Sequence, residues 1–330
     1  MLKLKYLFEN YGLAKEALKN WEHDVDTVDD LLCQFRISSN AIYPFEQKGQ
    51  MCFLRLAPIE EKREQNVYGE LEFIQYLLKN NFPALQPVPA KNGEICLKLS
   101  TEWGEYYASA FQKVNGVQIE CLNLTDEVMY QYGKTLGRLH CLSADFNPDT
   151  KKWTYVEALE WMQGILEEYN SPVFMMNELI AIRNELALLS QHSDNYGLVH
   201  YDFELDNVFY DESTKTCNVI DFDDGMYHWF SLDIDQVFES IAEELDGDNL
   251  RRAQQEFLRG YKEEHCYTEE MEQSRRLMRR FVNLFAYARL IRSVADTFEN
   301  EPDWLIKLRQ KLNKVISETE KSVVILGNRI

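Results

Sequence analysis

Two neighbouring stretches decide the fold: LVHYDFELDNVFY at residues 198–210 and CNVIDFDD at residues 217–224. Each contains a short hydrophobic run typical of a β-strand, and each carries a dense group of carboxylates. Asn207 follows Asp202 in the first stretch, and Asp221 ends the hydrophobic run of the second. The pattern predicts a loop that offers a carboxylate and an amide, facing a hairpin that ends in another carboxylate.

These residue types suit phosphoryl transfer. Carboxylate and amide oxygens are hard ligands that Mg²⁺ accepts, and the arrangement leaves one Asp free. Phosphoryl transfer requires metal ions that bridge the phosphates and a carboxylate that can accept the proton of the attacking hydroxyl. The two stretches therefore predict a phosphotransferase that uses ATP and Mg²⁺.

The pattern His-x-Asp-x4-Asn followed by Ile-Asp-Phe resembles that of aminoglycoside phosphotransferases, choline kinases, type II homoserine kinases and related small-molecule kinases. The resemblance implies a protein-kinase-like fold in which Asp202 is the catalytic base and His200 supports the loop. It also implies that Asn207 and Asp221 are Mg²⁺ ligands, assisted by Asp223.

Two further positions follow from the resemblance. Asp233 matches a buried Asp that opens the next helix and holds the catalytic loop through backbone N–H groups. Tyr201 stands where protein kinases usually carry Arg and most of the small-molecule kinases carry Gly. Only 11 residues separate Asp221 from Asp233, which leaves no room for a phosphorylated activation loop. We therefore expect activity that does not depend on such phosphorylation.

The N-terminal part supplies the expected nucleotide contacts. Arg55, on the third predicted strand, resembles the cation that contacts the α- and β-phosphates, and Phe53 lies on the same face over the expected adenine. Glu70 on the following helix is the expected acidic partner of Arg55, with Glu72 as the alternative.

Residues 111–116, beginning with Phe111, Gln112 and Lys113, resemble the hinge whose backbone groups recognise adenine. Residues 38–40 occupy the position of a phosphate-covering turn. They contain no glycine, so we do not expect them to contact phosphate.

The fold class predicted from these patterns is α+β, with two lobes. A nucleotide-binding lobe at 1–112 contains a five-stranded antiparallel sheet plus one helix, and a larger, mostly helical lobe at 113–330 carries the catalytic loop and the acceptor site. The predicted strands are 31–37, 40–46, 50–56, 94–100 and 105–111. The predicted helices are 6–20, 59–80, 125–142, 154–169, 174–191, 232–245, 248–264, 268–298 and 302–322.

Composition excludes several classes of protein. The 330 residues are 45% hydrophobic and 27% charged, as in globular proteins, and 55 acidic against 35 basic residues give a net charge of −20. Such a surface repels nucleic acid and anionic membranes. Seven cysteines without a CxxC pair favour neither a disulfide framework nor a zinc site. The absence of an apolar leader or membrane span predicts a cytoplasmic protein.

The sequence does not identify the phosphoryl acceptor. An aminoglycoside, an amino alcohol or a hydroxy amino acid would each present a hydroxyl to Asp202, and the sequence does not determine the oligomeric state. The alternatives are a Ser/Thr protein kinase of the same fold and a non-catalytic scaffold such as a spore-coat-type protein. His228, Trp229 and Phe230 suit either the core or a wall of the acceptor pocket. Three residues of the predicted helix 268–298 are weaker acceptor-cleft candidates: Tyr287, Arg289 and Arg292.

Overall fold

The computed structural model describes residues 2–297 and 299–327. Five strands lie in the N-terminal part: β1 Arg36–Ile37, β2 Ala41–Gln47, β3 Gln50–Pro58, β4 Cys96–Thr101 and β5 Gly104–Gln112. They form one antiparallel sheet in the order β1-β2-β3-β5-β4. The predicted five-stranded antiparallel sheet and the α+β class are confirmed.

Alternation along β3 gives the sheet two different faces. Leu54 and Leu56 pack against helices α1 (Tyr11–Leu18) and α2 (Val28–Leu32). Arg55 points to the opposite face, where helix α3 (Glu64–Lys79) lies. The sheet thus has one apolar face, and its other face presents a cation to a helix.

The first predicted strand is largely wrong. Of the predicted strand 31–37, residues 31 and 32 belong to α2, and only Arg36–Ile37 pair with β2. Asp29 and Asp30 lie in the first turn of α2, where acidic side chains favour a helix N-terminus. A short apolar run cannot by itself distinguish a strand from a buried helical turn. The predicted helix 6–20 is also shorter, because Asn10 caps α1 through a bond from the Leu13 N–H (2.8 Å).

The C-terminal part is mostly helical, as predicted. Its helices are α4 Asp126–Ala144, α5 Tyr155–Glu168, α6 Val173–Leu186, α7 Ser231–Glu244, α8 Gly247–Glu264, α9 Glu269–Ala295 and α10 Asp303–Gly327. Its short strands are β6 Val117–Gln118, β7 Tyr196–Val199, β8 Val208–Asp211, β9 Thr216–Val219 and β10 Met226–Trp229. They pair as β10-β7 and β6-β8-β9, which brings the two decisive stretches side by side.

Several predicted limits fall outside the described residues: the end of the helix 268–298, and the outer ends of the two lobes at residues 1 and 330. The division between lobes at 112 and 113 stays a prediction. No helix within residues 2–297 and 299–327 combines the length and the apolar character needed to cross a lipid bilayer.

Helices α4 and α8 approach each other through glycines. A Cβ atom on Gly133 would lie 1.8 Å from the Phe257 carbonyl oxygen, and one on Gly260 would lie 1.9 Å from the Tyr130 carbonyl oxygen. Both obstacles are backbone atoms, which cannot move without separating the helices. The two glycines therefore set the distance between α4 and α8.

We expect Gly133→Ala to destabilise the protein by about 3 kcal/mol, because its methyl group has no space between the helices. Gly164→Ala is the matched control. Gly164 is exposed within α5 with no other atom near its Cβ position, so the same change should stabilise the protein by about 0.5–1 kcal/mol. Guanidinium unfolding of both variants measures the difference, and equal effects would contradict the close approach.

Candidate active site

A buried carboxylate holds the catalytic loop. Asp233, in the first turn of α7, is fully buried and accepts hydrogen bonds from the backbone N–H groups of His200 and Tyr201, each at 2.8 Å. His140 on α4 contacts the same carboxylate through Nε2 at 3.0 Å, and its Nδ1 lies 2.8 Å from the Tyr261 hydroxyl on α8. The loop is therefore tied to three helices.

His140 is a partner that the sequence did not reveal. An ionised carboxylate only accepts hydrogen bonds, so His140 Nε2 donates to Asp233 and Nδ1 accepts from Tyr261. Burial lowers the pKa of His140, with Asp233 acting in the opposite direction, which keeps the imidazole neutral. Its position on α4 depends on the glycine contacts with α8.

Tyr201 has a left-handed backbone conformation, with φ of 71°. This region favours glycine, which gives a physical reason for the Gly found at this position in most of the resembling kinases. Here the bond from the Tyr201 N–H to Asp233 and an edge-on contact with the Phe285 ring (centroids 5.3 Å apart) hold a large residue in that conformation.

His200 joins the two decisive stretches. Its Nε2 lies 2.9 Å from the Ile220 carbonyl oxygen, and its Nδ1 accepts from the Asp202 N–H at 3.2 Å. Burial lowers its pKa to about 4, so the ring is neutral and donates from Nε2. The Ile220 N–H in turn donates to the Asn207 carbonyl oxygen at 3.0 Å. The structure thus places His200 as a support for the loop.

The predicted base and metal ligands are brought together. Asn207 Nδ2 donates to Asp202 Oδ2 at 2.9 Å and to the Asp202 carbonyl oxygen at 3.0 Å. Burial, followed by the nearby carboxylates of Asp224 and Asp221, raises the pKa of Asp202 to about 8. Burial, with Asp223 as the leading neighbour, raises the pKa of Asp221 to about 6. Since these carboxylates disfavour one another's ionisation, a bound cation would stabilise their ionised forms.

The oxygen atoms of Asn207 and Asp221 could hold Mg²⁺ if water and substrate phosphates complete its coordination shell. Within the described residues, no three His, Cys, Asp or Glu side chains gather in a group that could hold a metal ion by themselves. Mg²⁺ commonly takes one or two carboxylates and completes its shell with water and substrate phosphates. Asn207 and Asp221 supply one amide oxygen and one carboxylate, which matches that use. Asp221 itself has a left-handed backbone, with φ of 62°.

Asp223 is engaged by protein donors. Its Oδ2 accepts from Lys62 Nζ and from Asn40 Nδ2, the latter at 3.1 Å. Burial acts to raise the pKa of Asp223, but Lys62 and Arg55 outweigh it and hold the pKa well below its usual range. The sequence did not reveal Lys62 as a neighbour, and a metal role for Asp223 stays a prediction.

The turn at residues 38–40 also contacts this acidic group. It joins β1 to β2, and its Ser39 hydroxyl accepts from Arg289 Nη2 at 3.2 Å. Arg289 on α9 pairs with Asp224 at 2.6 Å. The turn thus lies over Asp223 and Asp224, and the weak candidate Arg289 lies in the site.

Arg55 and Glu70 form a bidentate ion pair. Arg55 Nη1 and Nη2 lie 2.7 Å and 2.8 Å from the two carboxylate oxygens of Glu70, which is 1% exposed. Burial opposes the charge of Arg55, but Glu70 outweighs it and the net effect raises its pKa. The alternative partner, Glu72, instead accepts from the N–H groups of Asp149 (2.6 Å) and Thr150 (2.8 Å). The Arg55 ion pair is of the type that orients a cation for phosphate.

Some backbone groups of the predicted hinge are not free to bind adenine. Phe53 lies opposite Phe111 on neighbouring strands, and the Phe111 ring is 4.9 Å from the Arg55 guanidinium. The Gln112 N–H donates to the Gln86 carbonyl oxygen (2.8 Å) and the Lys113 N–H to the Met51 carbonyl oxygen (3.0 Å). These two N–H groups are therefore already bonded to other backbone groups, and adenine recognition by the rest of the segment stays a prediction.

A cavity of about 220 Å³ adjoins the acidic group between the two parts of the chain. Trp153, Trp161 and Phe285 form its aromatic wall, and Asp223 and Asp224 contribute carboxylates. Arg289 and Arg292 of α9 also line it, Arg292 being paired with Glu61 at 2.7 Å. Tyr287 instead donates to Glu320 (2.8 Å).

Comparison with known proteins identifies the family. The model of the phosphotransferase enzyme family matches residues 36–272. The chain belongs to this family. The predicted family, kinase-like fold and phosphotransferase activity are thereby confirmed.

Relatives of this family member include small-molecule kinases. Amicoumacin kinase of Bacillus subtilis (strain 168) is 24% identical over 244 residues, covering 72% of this chain and 70% of that protein. The solved structure of amicoumacin kinase hAmiN with AMP-PNP, Ca²⁺ and Ami has a TM-score of 0.75 at 19% identity, covering 96% of this chain and 95% of that one. A microcompartment-associated aminopropanol kinase has a TM-score of 0.67 at 19% identity, covering 95% of both chains.

His228, Trp229 and Phe230 belong to the core. All three are at most 3% exposed, and the His228 ring packs against Phe281 with centroids 4.5 Å apart. Burial lowers the pKa of His228 to about 3. The open choice between core and pocket wall is thus decided in favour of the core.

We expect the buried His228 to make the stability of the phosphotransferase decrease at acidic pH. Its folded-state pKa is depressed, so its contribution is complete above the unfolded-state value near 6.5 and is lost as pH falls below that value. Lowering the pH from 7 to 5 should reduce the free energy of unfolding of the wild type by about 2 kcal/mol more than that of His228→Phe. Guanidinium unfolding at both pH values measures this difference. His192→Gln, which removes an exposed imidazole, is the control, and equal pH dependence of wild type and His228→Phe would contradict the expectation.

Proposed function

We propose that the chain transfers the γ-phosphoryl group of ATP, with Mg²⁺, to a hydroxyl of a small molecule. The observation that carries the proposal is the juxtaposition of Asp202, Asn207 and Asp221 in a buried, acidic loop pair beside a cavity. Asp202 accepts the proton of the acceptor hydroxyl as it attacks, a role that its raised pKa supports. The contacts of His200 and Asn207 orient that carboxylate.

The nucleotide is assigned to the cleft under the sheet. Asn207 and Asp221 hold Mg²⁺, which, when bound, neutralises charge on the phosphates. Arg55, oriented by Glu70, contacts the α- and β-phosphates, and Phe53 covers the base. The complex of hAmiN with AMP-PNP supports the use of ATP by proteins of this fold.

The acceptor is assigned to the cavity beside Asp224. Pockets for drug-sized ligands usually measure roughly 300–1,000 Å³, and this cavity is smaller, at about 220 Å³. An amino alcohol or a hydroxy amino acid therefore fits more readily than an aminoglycoside. The aromatic rings of the wall suit contact with an amine-bearing acceptor, whereas the carboxylates of Asp223, Asp224 and Glu61 are already paired with Lys62, Arg289 and Arg292. The names of the relatives, amicoumacin kinase and aminopropanol kinase, also favour a small molecule over a protein.

Turnover with a panel of acceptors tests the proposal. We expect ADP release from ATP and Mg²⁺ in the presence of at least one amino alcohol, hydroxy amino acid or aminoglycoside, because each presents a hydroxyl that Asp202 can deprotonate. A generic protein substrate is included in the same assay. Turnover with that protein alone would favour a Ser/Thr protein kinase, and no turnover with any acceptor would favour a non-catalytic scaffold.

We expect Asp202→Ala to reduce kcat by about 10²–10⁴-fold, the usual contribution of a general base, and to leave nucleotide affinity nearly unchanged. The measurements are steady-state ADP release and calorimetric titration with ATP and Mg²⁺. Glu212→Ala, in the exposed turn between β8 and β9, is the control. Equal losses of turnover and nucleotide affinity would refute the assignment of Asp202 as base.

A further inference from the structure

A buried lysine contacts the backbone that follows Asp221. Lys152 is 2% exposed, and its Nζ donates to the carbonyl oxygens of Phe222 (2.8 Å) and Asp223 (2.7 Å). Burying an ammonium group costs free energy unless hydrogen bonds and opposite charges compensate it. Here two carbonyl oxygens fill that role, so the ammonium and the backbone of residues 222–223 fix each other's position.

The segment that carries Lys152 is attached to α3. Two backbone N–H groups of the segment donate to Glu72, and the Trp153 N–H donates to Asn66 Oδ1 at 2.9 Å. Gly69 permits the close approach, since a Cβ atom there would lie 2.7 Å from the Thr150 carbonyl oxygen and 2.8 Å from Lys152 Cγ. Residues 149–153 therefore lie directly against one face of α3.

The same helix orients the cation of the sheet, because Glu70 of α3 pairs with Arg55. Lys152 thus lies between two parts of the site: the helix that positions Arg55, and the backbone next to Asp221. Asp221 has a left-handed backbone conformation, which costs about 1–3 kcal/mol and persists only where neighbouring contacts enforce it. On the preceding side, His200 and Asn207 bond to Ile220; on the following side, Lys152 supplies the bonds.

We propose that Lys152 is a positioning residue for the metal-binding carboxylate of Asp221, and that residues 149–153 connect this carboxylate to the Arg55–Glu70 pair through α3. The inference rests on the proposed function, in which Asp221 holds Mg²⁺. Lys152 is buried and is not among the residues that line the cavity, so the proposal gives it no direct contact with nucleotide or acceptor. It acts by holding the backbone on which Asp221 is placed.

Charge and positioning have opposite effects on metal binding, which makes the proposal testable. A positive charge near Asp221 repels Mg²⁺, so its removal alone would tighten metal binding. Loss of the bonds to residues 222 and 223 would free Asp221 from its strained conformation and weaken metal binding. Removal of groups that orient a metal ligand typically costs 10–100-fold in metal affinity or activity.

The experiment titrates Mg²⁺ while calorimetry follows binding of the non-hydrolysable analogue AMP-PNP. We expect Lys152→Met to require about 10–100-fold more Mg²⁺ for tight AMP-PNP binding, with metal-free AMP-PNP affinity unchanged. Lys152→Arg, which retains the charge and the donors, should recover most of the effect. Lys151→Met is the matched control, because Lys151 is exposed and its Nζ lies over the Tyr227 ring.

The outcomes separate this inference from the function on which it rests. If Mg²⁺ does not tighten AMP-PNP binding to wild type, the proposed function fails. If wild type responds but Lys152→Met needs the same or less Mg²⁺, or loses metal-free affinity to the same extent, the positioning role is overturned. Should Lys152→Met not fold, Glu72→Ala decides the question, since it loosens residues 149–150 from α3 without removing the lysine. A higher Mg²⁺ requirement in Glu72→Ala supports the proposal, and an unchanged one overturns it.

Discussion

The site depends on the buried carboxylate of Asp233. A fully buried charge must be compensated, and three donors do this here: the backbone N–H groups of His200 and Tyr201, and the His140 ring. The same bonds force Tyr201 into a left-handed conformation and thereby direct Asp202. Since His140 lies on α4 and bonds to Tyr261 of α8, the close packing of these helices determines where the carboxylate and the loop are placed. The geometry of the loop in this phosphotransferase therefore depends on how these helices pack.

Charge within the cleft connects the two parts of the chain. The carboxylates at residues 221, 223 and 224 and at residue 202 lie in the C-terminal part, and their repulsion is balanced by cations from both parts. Arg55 and Lys62 come from the N-terminal part, and Lys152 and Arg289 from the C-terminal part. The Lys62–Asp223 ion pair and the hydrogen bond from Arg289 to the Ser39 hydroxyl join the two parts directly. Because electrostatic interactions strengthen where water is excluded, these buried contacts both neutralise the site and hold the two parts together.

The sequence predicted those features that local patterns encode. Spacing marked out Asp202, Asn207 and Asp221, and the resemblance to small-molecule kinases supplied Arg55 with Glu70 as its expected partner. It did not predict Lys62, Lys152 or the role of His140, because these side chains reach the site from segments that are distant in the sequence. Nor did it distinguish α2 from a strand, since a short apolar run fits both. The sequence also did not predict that the N–H groups of Gln112 and Lys113 are occupied, because their acceptors, the carbonyl oxygens of Gln86 and Met51, are distant in the sequence. Tertiary contacts, which one sequence does not display, account for each of these cases.

The pairing of Asp223 with Lys62 bears on the order in which ligands bind under the proposed function. A metal ion that displaced Lys62 would take away the carboxylate partner of that ammonium group, and a nucleotide that attracted Lys62 would leave Asp223 with only Arg55, Lys152 and Asn40 as compensation. Either single step exposes a poorly solvated charge, which is costly where both side chains are nearly buried. A metal–nucleotide complex avoids the cost, because its phosphates can accept from Lys62 while its cation approaches the carboxylates. Under the proposed function, this ion pair is therefore a reason for joint entry of metal and nucleotide rather than entry of either alone.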